Sequence, residues 1–168
     1  MNRIRQIIFK DRIKELIFRL LPIWIMLIMM LLFVYFNKVN RIDLDGPYTV
    51  IRVIDGDTIL VGTGSEEISV RLIGIDAPES VHPDETKNTP EGEAASEWLQ
   101  SVLPVFSIVY LEYDVERYDK YGRTLAYVYL DDSKTMLNRL LLESGYAEIM
   151  TIPPNTKYER LFQAVEER

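Results

Sequence analysis

The stretch from Tyr48 to Ile75 reads YTVIRVIDGDTILVGTGSEEISVRLIGI. Tyr48 to Ile54 is rich in β-branched and aromatic residues and stops at Asp55-Gly56. Thr58 to Val61 supplies a second strand, and Gly62-Thr63-Gly64-Ser65 is a turn signal. Ile68 to Ile75 alternates apolar residues with Ser69 and Arg71 as far as Leu72, which makes a third strand. Three strands joined by short turns spell a meander.

Toward the carboxyl end, residues 76–90 carry Pro78, Pro83 and Pro90 among polar groups. They form a long loop, and long loops inside compact domains are often functional. Glu91 to Leu103 reads as a helix with Pro90 just before it and Ala94, Ala95, Trp98, Leu99 and Val102 on one face. Pro104 ends it. Phe106 to Tyr113 and Leu125 to Leu130 are two further strands. A helix follows from about Met136 to Ser144, stopped by Gly145, and a terminal helix runs through Ala164 after Pro153-Pro154-Asn155-Thr156. Five short strands with helices after the third and the fifth predict an α+β fold, a five-stranded β-barrel with helices of the OB-fold kind.

Toward the amino end, Leu20 to Phe36 is an uninterrupted apolar run of 17 residues. Counted from Leu16, with Arg19 snorkelling, it reaches the roughly 20 residues that a helix needs to cross a bilayer. Pro22 is placed in the first turns of that helix, where a missing N–H is best tolerated. No polar face appears along the run, which argues against a buried helix of a soluble fold. No small-x-small cleavage site follows Phe36, which favours an uncleaved signal anchor over a cleaved signal peptide. The sequence thus divides into a basic cytoplasmic segment (1–19), a transmembrane signal anchor (20–36), a linker (37–46) and a barrel domain (47–168). The basic flank precedes the helix, so the amino end stays in the cytoplasm and the domain lies outside a plasma membrane.

Residues 1–37 hold six basic and two acidic side chains, a net +4; residues 38–168 hold 13 and 24, a net −11. The chain has no Cys and one His, His82. Disulfides, thiolate zinc sites, Cys nucleophiles and multi-histidine metal sites are therefore excluded. Hydrolytic chemistry must rest on carboxylates, Arg, Lys, Tyr and Ser.

Asp55-Gly56-Asp57-Thr58 sits at a strand-to-strand turn, and Asp76-Ala77-Pro78-Glu79 sits where the third strand enters the long loop. Asp57, Asp76 and Glu79 thus gather at strand ends beside Asp55, and hard oxygen donors of this kind suit Ca²⁺ or Mg²⁺. Arg71 lies in an otherwise apolar strand and needs a partner there. Asp119-Lys120-Tyr121-Gly122-Arg123 precedes the last strand. One carboxylate activating water, two arginines gripping phosphate oxygens and a divalent cation orienting a phosphodiester would make a hydrolytic site.

The blocks VIRVIDGDTILV, VRLIGIDAPES, GEAASEWL, YDKYGRTLAYVYL and LNRLLLESGYAEI, in this order, resemble staphylococcal nuclease-type (thermonuclease) domains from about Tyr48 to the carboxyl end. The resemblance implies an OB-fold and Ca²⁺-dependent cleavage of DNA and RNA phosphodiesters. It implies that Arg71 and Arg123 are the catalytic arginines and Glu79 the general base. It further implies that Asp57, Asp76 and the backbone carbonyl of Ala77 ligate the metal, and that Lys120 and Tyr121 lie near a nucleotide's terminal phosphate. The sequence departs from the family pattern at several points, among them a terminal helix without the expected Trp-containing tail. Ala77 replaces a Thr, and Glu148–Pro153 lacks the aromatic pair that packs on the nucleotide, leaving Tyr158 as a substitute platform. Trp98 is expected in the core and His82 in solvent. Tyr110, Tyr113, Tyr118, Tyr127 and Tyr129 suit strands, with Tyr113 and Tyr118 candidates for a nucleotide groove.

The alternative reading is a catalytically inactive OB-fold module that binds nucleic acid or protein at the membrane. The domain's −11 charge favours it, because binders of polyanions usually carry a basic patch. A bound cation and the local field of Arg71, Lys120 and Arg123 work in the opposite direction. A third reading, an accessory subunit of a membrane complex, is weakened by the lack of a GxxxG pattern in the helix.

Overall fold

The computed structural model describes residues 2–39, 42–64, 66–81, 84, 86, 88–131 and 133–167, with the side chains of 2–13, 16 and 37–39 excluded. His82 lies outside them. The chain forms two compact units, Met1–Ile42 and Asp43–Arg168.

The first unit is a single helix, α1, from Asn2 to Val39. Its segment Ile17–Phe36 is long and apolar enough to cross a membrane, and none of it is buried. Pro22 lies in the interior of this helix, not in its first turns, because the helix begins in the basic segment.

The second unit is built on β1 (Asp45–Asp55), β2 (Thr58–Thr63), β3 (Glu66–Leu72), β5 (Ile108–Glu112) and β6 (Thr124–Leu130). These close into a barrel in the order β1-β2-β3-β6-β5. The pairs are antiparallel except β3 with β6, which runs parallel with Arg71 opposite Leu125. Helix α2 (Pro90–Val102) enters between β3 and β5 in sequence, and α3 (Leu137–Glu143) and α4 (Glu159–Glu166) follow β6. The barrel interior is filled by Val50, Ile59, Val61, Val70, Leu72, Val109, Leu111 and Val128, all at most 1% exposed.

The third strand is shorter than its apolar run suggests. It breaks at Ile73, and Gly74–Asp76 forms a separate strand, β4, paired with β7 (Glu148–Met150). Two features impose the break. Gly74 takes φ +80°, and a Cβ there would come within 2.5 Å of the Phe162 ring of α4. The buried Asn138 of α3 donates to the Ile73 carbonyl (2.8 Å) and accepts from Val128 N–H (2.9 Å). The chain is thereby steered out of the barrel just after Arg71, which puts Asp76 and Ala77 at its rim. Trp98 packs against the core and stacks on Tyr146 at 5.0 Å.

Candidate active site

Arg71 is the middle residue of the parallel seam of the barrel and is 9% exposed. Its Nη1 lies 2.8 Å from Asp57 Oδ2, and its Nη2 lies 2.7 Å from Asp76 Oδ1. Nη1 also donates to the carbonyls of Ile75 (3.0 Å) and Leu72 (3.2 Å). The strand break creates this nest: it turns two carbonyls inward and delivers Asp76 to the same guanidinium as Asp57. A buried arginine needs such partners, and a planar fork serves two carboxylates where an ammonium cannot.

Asp57 is held from every side. It accepts from the Ala77 N–H (3.0 Å) and the Thr58 hydroxyl (2.9 Å) as well as from Arg71. Burial pushes its carboxyl above the usual carboxylate value, and Arg71, the Ala77 N–H and the Thr58 hydroxyl pull against that rise. Asp76 is exposed and takes the other terminal nitrogen of Arg71, Nη2. The donor chemistry fits a hard divalent ion: two carboxylates, one buried and one solvated, with the adjoining Ala77 backbone. Among the described residues no three acidic, His or Cys side chains converge as a metal cluster, so carbonyl and water oxygens would complete the shell.

A cavity of about 500 Å³ opens beside this nest. Arg71, Lys120, Tyr121 and Arg123 line it together, with Leu125, Met150 and Ile152 forming apolar wall. Arg123 is anchored by Asp119, Nε to Oδ2 at 2.7 Å, and its side chain stays 34% exposed. Asp119 Oδ1 also accepts from the N–H groups of Tyr121 and Arg123, each at 2.9 Å. Partial burial raises the Asp119 carboxyl, but the Arg123 guanidinium and these N–H groups outweigh it, and the net shift is downward. The cations of Lys120 and Arg123 sit over the Tyr121 ring at 4.9 and 5.6 Å.

Glu79 is exposed and does not line that cavity. Its backbone is clamped instead. Thr89 N–H donates to the Glu79 carbonyl (2.9 Å), and Asp55 Oδ1 accepts from the hydroxyl and N–H of Ser80 at 2.6 and 3.2 Å. The first turn of α2 presses against it: a Cβ at Gly92 would lie 2.2 Å from the Glu79 carbonyl oxygen. Thr89 caps the same helix, accepting from Gly92 N–H at 3.0 Å. Asp55, Ser80, Thr89 and Gly92 therefore fix the backbone around Glu79; Asp55 stands out in the sequence, and the other three are ones that sequence reading passes over. Only the Thr-Pro-x-Gly helix start hints at them.

Met150 and Ile152, from the stretch that lacks an aromatic pair, make the cavity wall there aliphatic. Tyr158 is no substitute platform. Its hydroxyl donates to buried Glu112 (2.9 Å), and its ring packs edge-on against Tyr127 at 4.6 Å and beside Phe162. Glu112 also accepts from the Tyr129 hydroxyl and pairs with Lys157, so this cluster ties α4 to the barrel.

A family model described as staphylococcal nuclease homologue matches residues 69–168. Among curated proteins, the thermonuclease of Staphylococcus intermedius is 44% identical over 145 residues, covering 83% of this chain and 84% of the relative. The thermonuclease of Staphylococcus hyicus is 47% identical over 118 residues, covering 70% and 68%. The endonuclease YncB of Bacillus subtilis is 38% identical over 121 residues, covering 71% and 56%. The matched span holds Arg71, Asp76 and every residue that lines the cavity, with Asp57 just ahead of it, and this chain belongs to the staphylococcal nuclease homologue family.

Proposed function

We propose that this chain is a membrane-anchored nuclease that hydrolyses DNA or RNA phosphodiesters, with Glu79 as general base and Arg71 and Arg123 stabilising the charge that develops on the phosphorus oxygens. Family membership supports the nuclease assignment; the roles of individual residues are those the resemblance implies, and the shared cavity of Arg71 and Arg123 supports theirs. The observation that carries the reading is the buried Arg71: it joins Asp57 and Asp76 on one side and opens onto the cavity of Arg123, Lys120 and Tyr121 on the other.

Asp57 and the Leu72 and Ile75 carbonyls occupy Nη1 of Arg71 and Asp76 takes one hydrogen of Nη2, so Nε–H and the second Nη2–H are the donors offered to a phosphate. Arg123, more exposed, approaches the same phosphate from the loop before β6. Lys120 and Tyr121 receive a terminal phosphate at the cavity mouth. Met150 and Ile152 offer an apolar face to the sugar or base. Glu79 takes a proton from the attacking water, and no covalent intermediate is needed. Asp57, Asp76 and the Ala77 carbonyl would hold Ca²⁺, which when bound supplies positive charge against the phosphodiester.

In the same reading, α1 crosses the plasma membrane with its amino end in the cytoplasm and residues 47–168 outside. The chain lacks Cys, so a single Thr63→Cys substitution in intact cells reports the side of the barrel cleanly. Labelling by a membrane-impermeant maleimide supports the outward orientation, and labelling only after lysis refutes it.

The decisive assay uses the full chain in detergent with single-stranded DNA, run with Ca²⁺, with EDTA, and with Glu79→Gln. Cleavage that requires both Ca²⁺ and Glu79 is expected. Cleavage undiminished in EDTA would refute the metal assignment, and cleavage undiminished in Glu79→Gln would refute the base. Binding without cleavage by the folded wild-type chain would make it the inactive OB-fold module.

A further inference from the structure

The loop between β5 and β6, residues 113–123, reads YDVERYDKYGR. It carries three basic and three acidic side chains, so it is neutral while residues 38–168 as a whole are at −11. Only part of it lines the cavity: Glu116, Asp119, Lys120, Tyr121 and Arg123 do, and Arg117 and Tyr118 do not. Those two residues have no part in the proposed chemistry, yet the structure holds their backbone firmly. Asn155 brackets Glu116, accepting from its N–H at 2.8 Å and donating to its carbonyl at 2.9 Å. Leu125 N–H donates to the Arg117 carbonyl at 2.8 Å, and Tyr118 bridges to Thr124. Tyr118 is nevertheless 60% exposed. A large aromatic ring presented to water by a hydrogen-bonded loop is a platform awaiting a flat partner.

Arg117 is prepared in a similar way. Its guanidinium lies 3.8 Å from the centroid of the Tyr113 ring. The Tyr113 hydroxyl donates to Asp45 (2.8 Å), as does the Tyr48 hydroxyl (3.0 Å), and Arg117 Nη2 stands 3.8 Å from the same carboxylate. The cation is thus propped on a fixed ring at the surface, half exposed, one residue from Tyr118.

We propose that Arg117 and Tyr118 form a second nucleotide subsite outside the cavity, taking the neighbouring nucleotide of a single-stranded nucleic acid: its base stacks on Tyr118 and its phosphate meets Arg117. Stacking on exposed rings with a cation tracking the backbone is how single strands are held without sequence preference. This subsite rests on the nuclease reading, and it makes the enzyme favour extended single strands over isolated nucleotides.

The test compares two substrates of the full chain in Ca²⁺: a 12-nucleotide oligothymidylate and the p-nitrophenyl ester of a thymidine phosphate. Tyr118→Ala should raise KM for the oligonucleotide about tenfold with kcat unchanged, and should shift the ester's kcat/KM by less than about twofold. Tyr118→Trp should restore the oligonucleotide KM. Arg117→Ala should weaken oligonucleotide binding and reduce the slope of log KM against log salt by about 0.7. Unchanged oligonucleotide kinetics in both alanine variants, with normal wild-type turnover, would overturn the subsite alone. Equal losses on both substrates would overturn it too, since they would mark a structural role. A wild-type chain that turns over neither substrate would remove the nuclease reading, and the subsite with it.

Discussion

Arg71 and Arg123 face one cavity from opposite construction principles. Arg71 is buried, joined to two carboxylates and two carbonyls. Arg123 is a third exposed and tied to a single carboxylate four residues away on its own loop. The first is fixed by the whole fold, since its partners come from the β1–β2 turn, the strand break and β4. The second is fixed locally and can adjust. Preorganised charge stabilises a transition state without reorganisation at the moment of reaction, while an adjustable partner can follow the substrate.

That contrast is broken most severely at Arg71. Arg71→Ala leaves Asp57 buried without its countercharge, and stability should fall by about 3–5 kcal/mol in urea unfolding. Arg71→Lys keeps a charge but cannot serve both carboxylates, so it should remain folded with turnover down by on the order of 10²- to 10³-fold. Gly92→Ala comes next. Its Cβ meets the Glu79 carbonyl at 2.2 Å, so either α2 or the Glu79 backbone must move. Turnover should drop by about 10²-fold, the usual result of misplacing a reacting group by about 1 Å, while secondary structure by circular dichroism stays intact.

Arg123→Lys sharpens the comparison from the other side. Turnover should fall about tenfold or more, yet the unfolding free energy should change by less than about 0.5 kcal/mol, because the Asp119 pair is partly exposed and screened. The smallest effect is acid sensitivity of the loop. The folded Asp119 carboxyl is held below its ordinary value, so its contribution is complete above about pH 4 and disappears as the pH falls through the lowered folded value. Amide exchange at Tyr121 and Arg123, whose N–H groups Asp119 accepts, should accelerate over that acid range relative to Val128 in β6. No acceleration would show that the loop is held by its backbone alone.

Most of the barrel was readable from its strands because alternation and turn residues are local signals. The five strands close in the order their hydrophobic patterns allow, and α2 begins where Pro90 predicts. The failures have physical causes. Ile68–Ile75 reads as one strand because its apolar residues run on, and nothing local reveals that Phe162, almost ninety residues later, occupies the space over Gly74. β7 is only three residues long and exists because β4 leaves the barrel to meet it. Tyr158 looked available for stacking because its engagement with Glu112 and Tyr127 is made across the fold.

The sequence by itself determined the chemical means: no thiol and a lone His, carboxylates gathered at strand ends, an arginine in an apolar strand, and an apolar run long enough for a bilayer. Residue type and spacing are enough for that, because they limit which groups can ionise, coordinate or donate. The tertiary structure decided how those groups are used. It joined Asp57 and Asp76 on one guanidinium, clamped Glu79 through Thr89 and Gly92, lined the cavity with Met150 and Ile152, and left Arg117 and Tyr118 facing water. These arrangements arise from contacts between residues distant in the chain, whose burial and distance exist only once the barrel has closed.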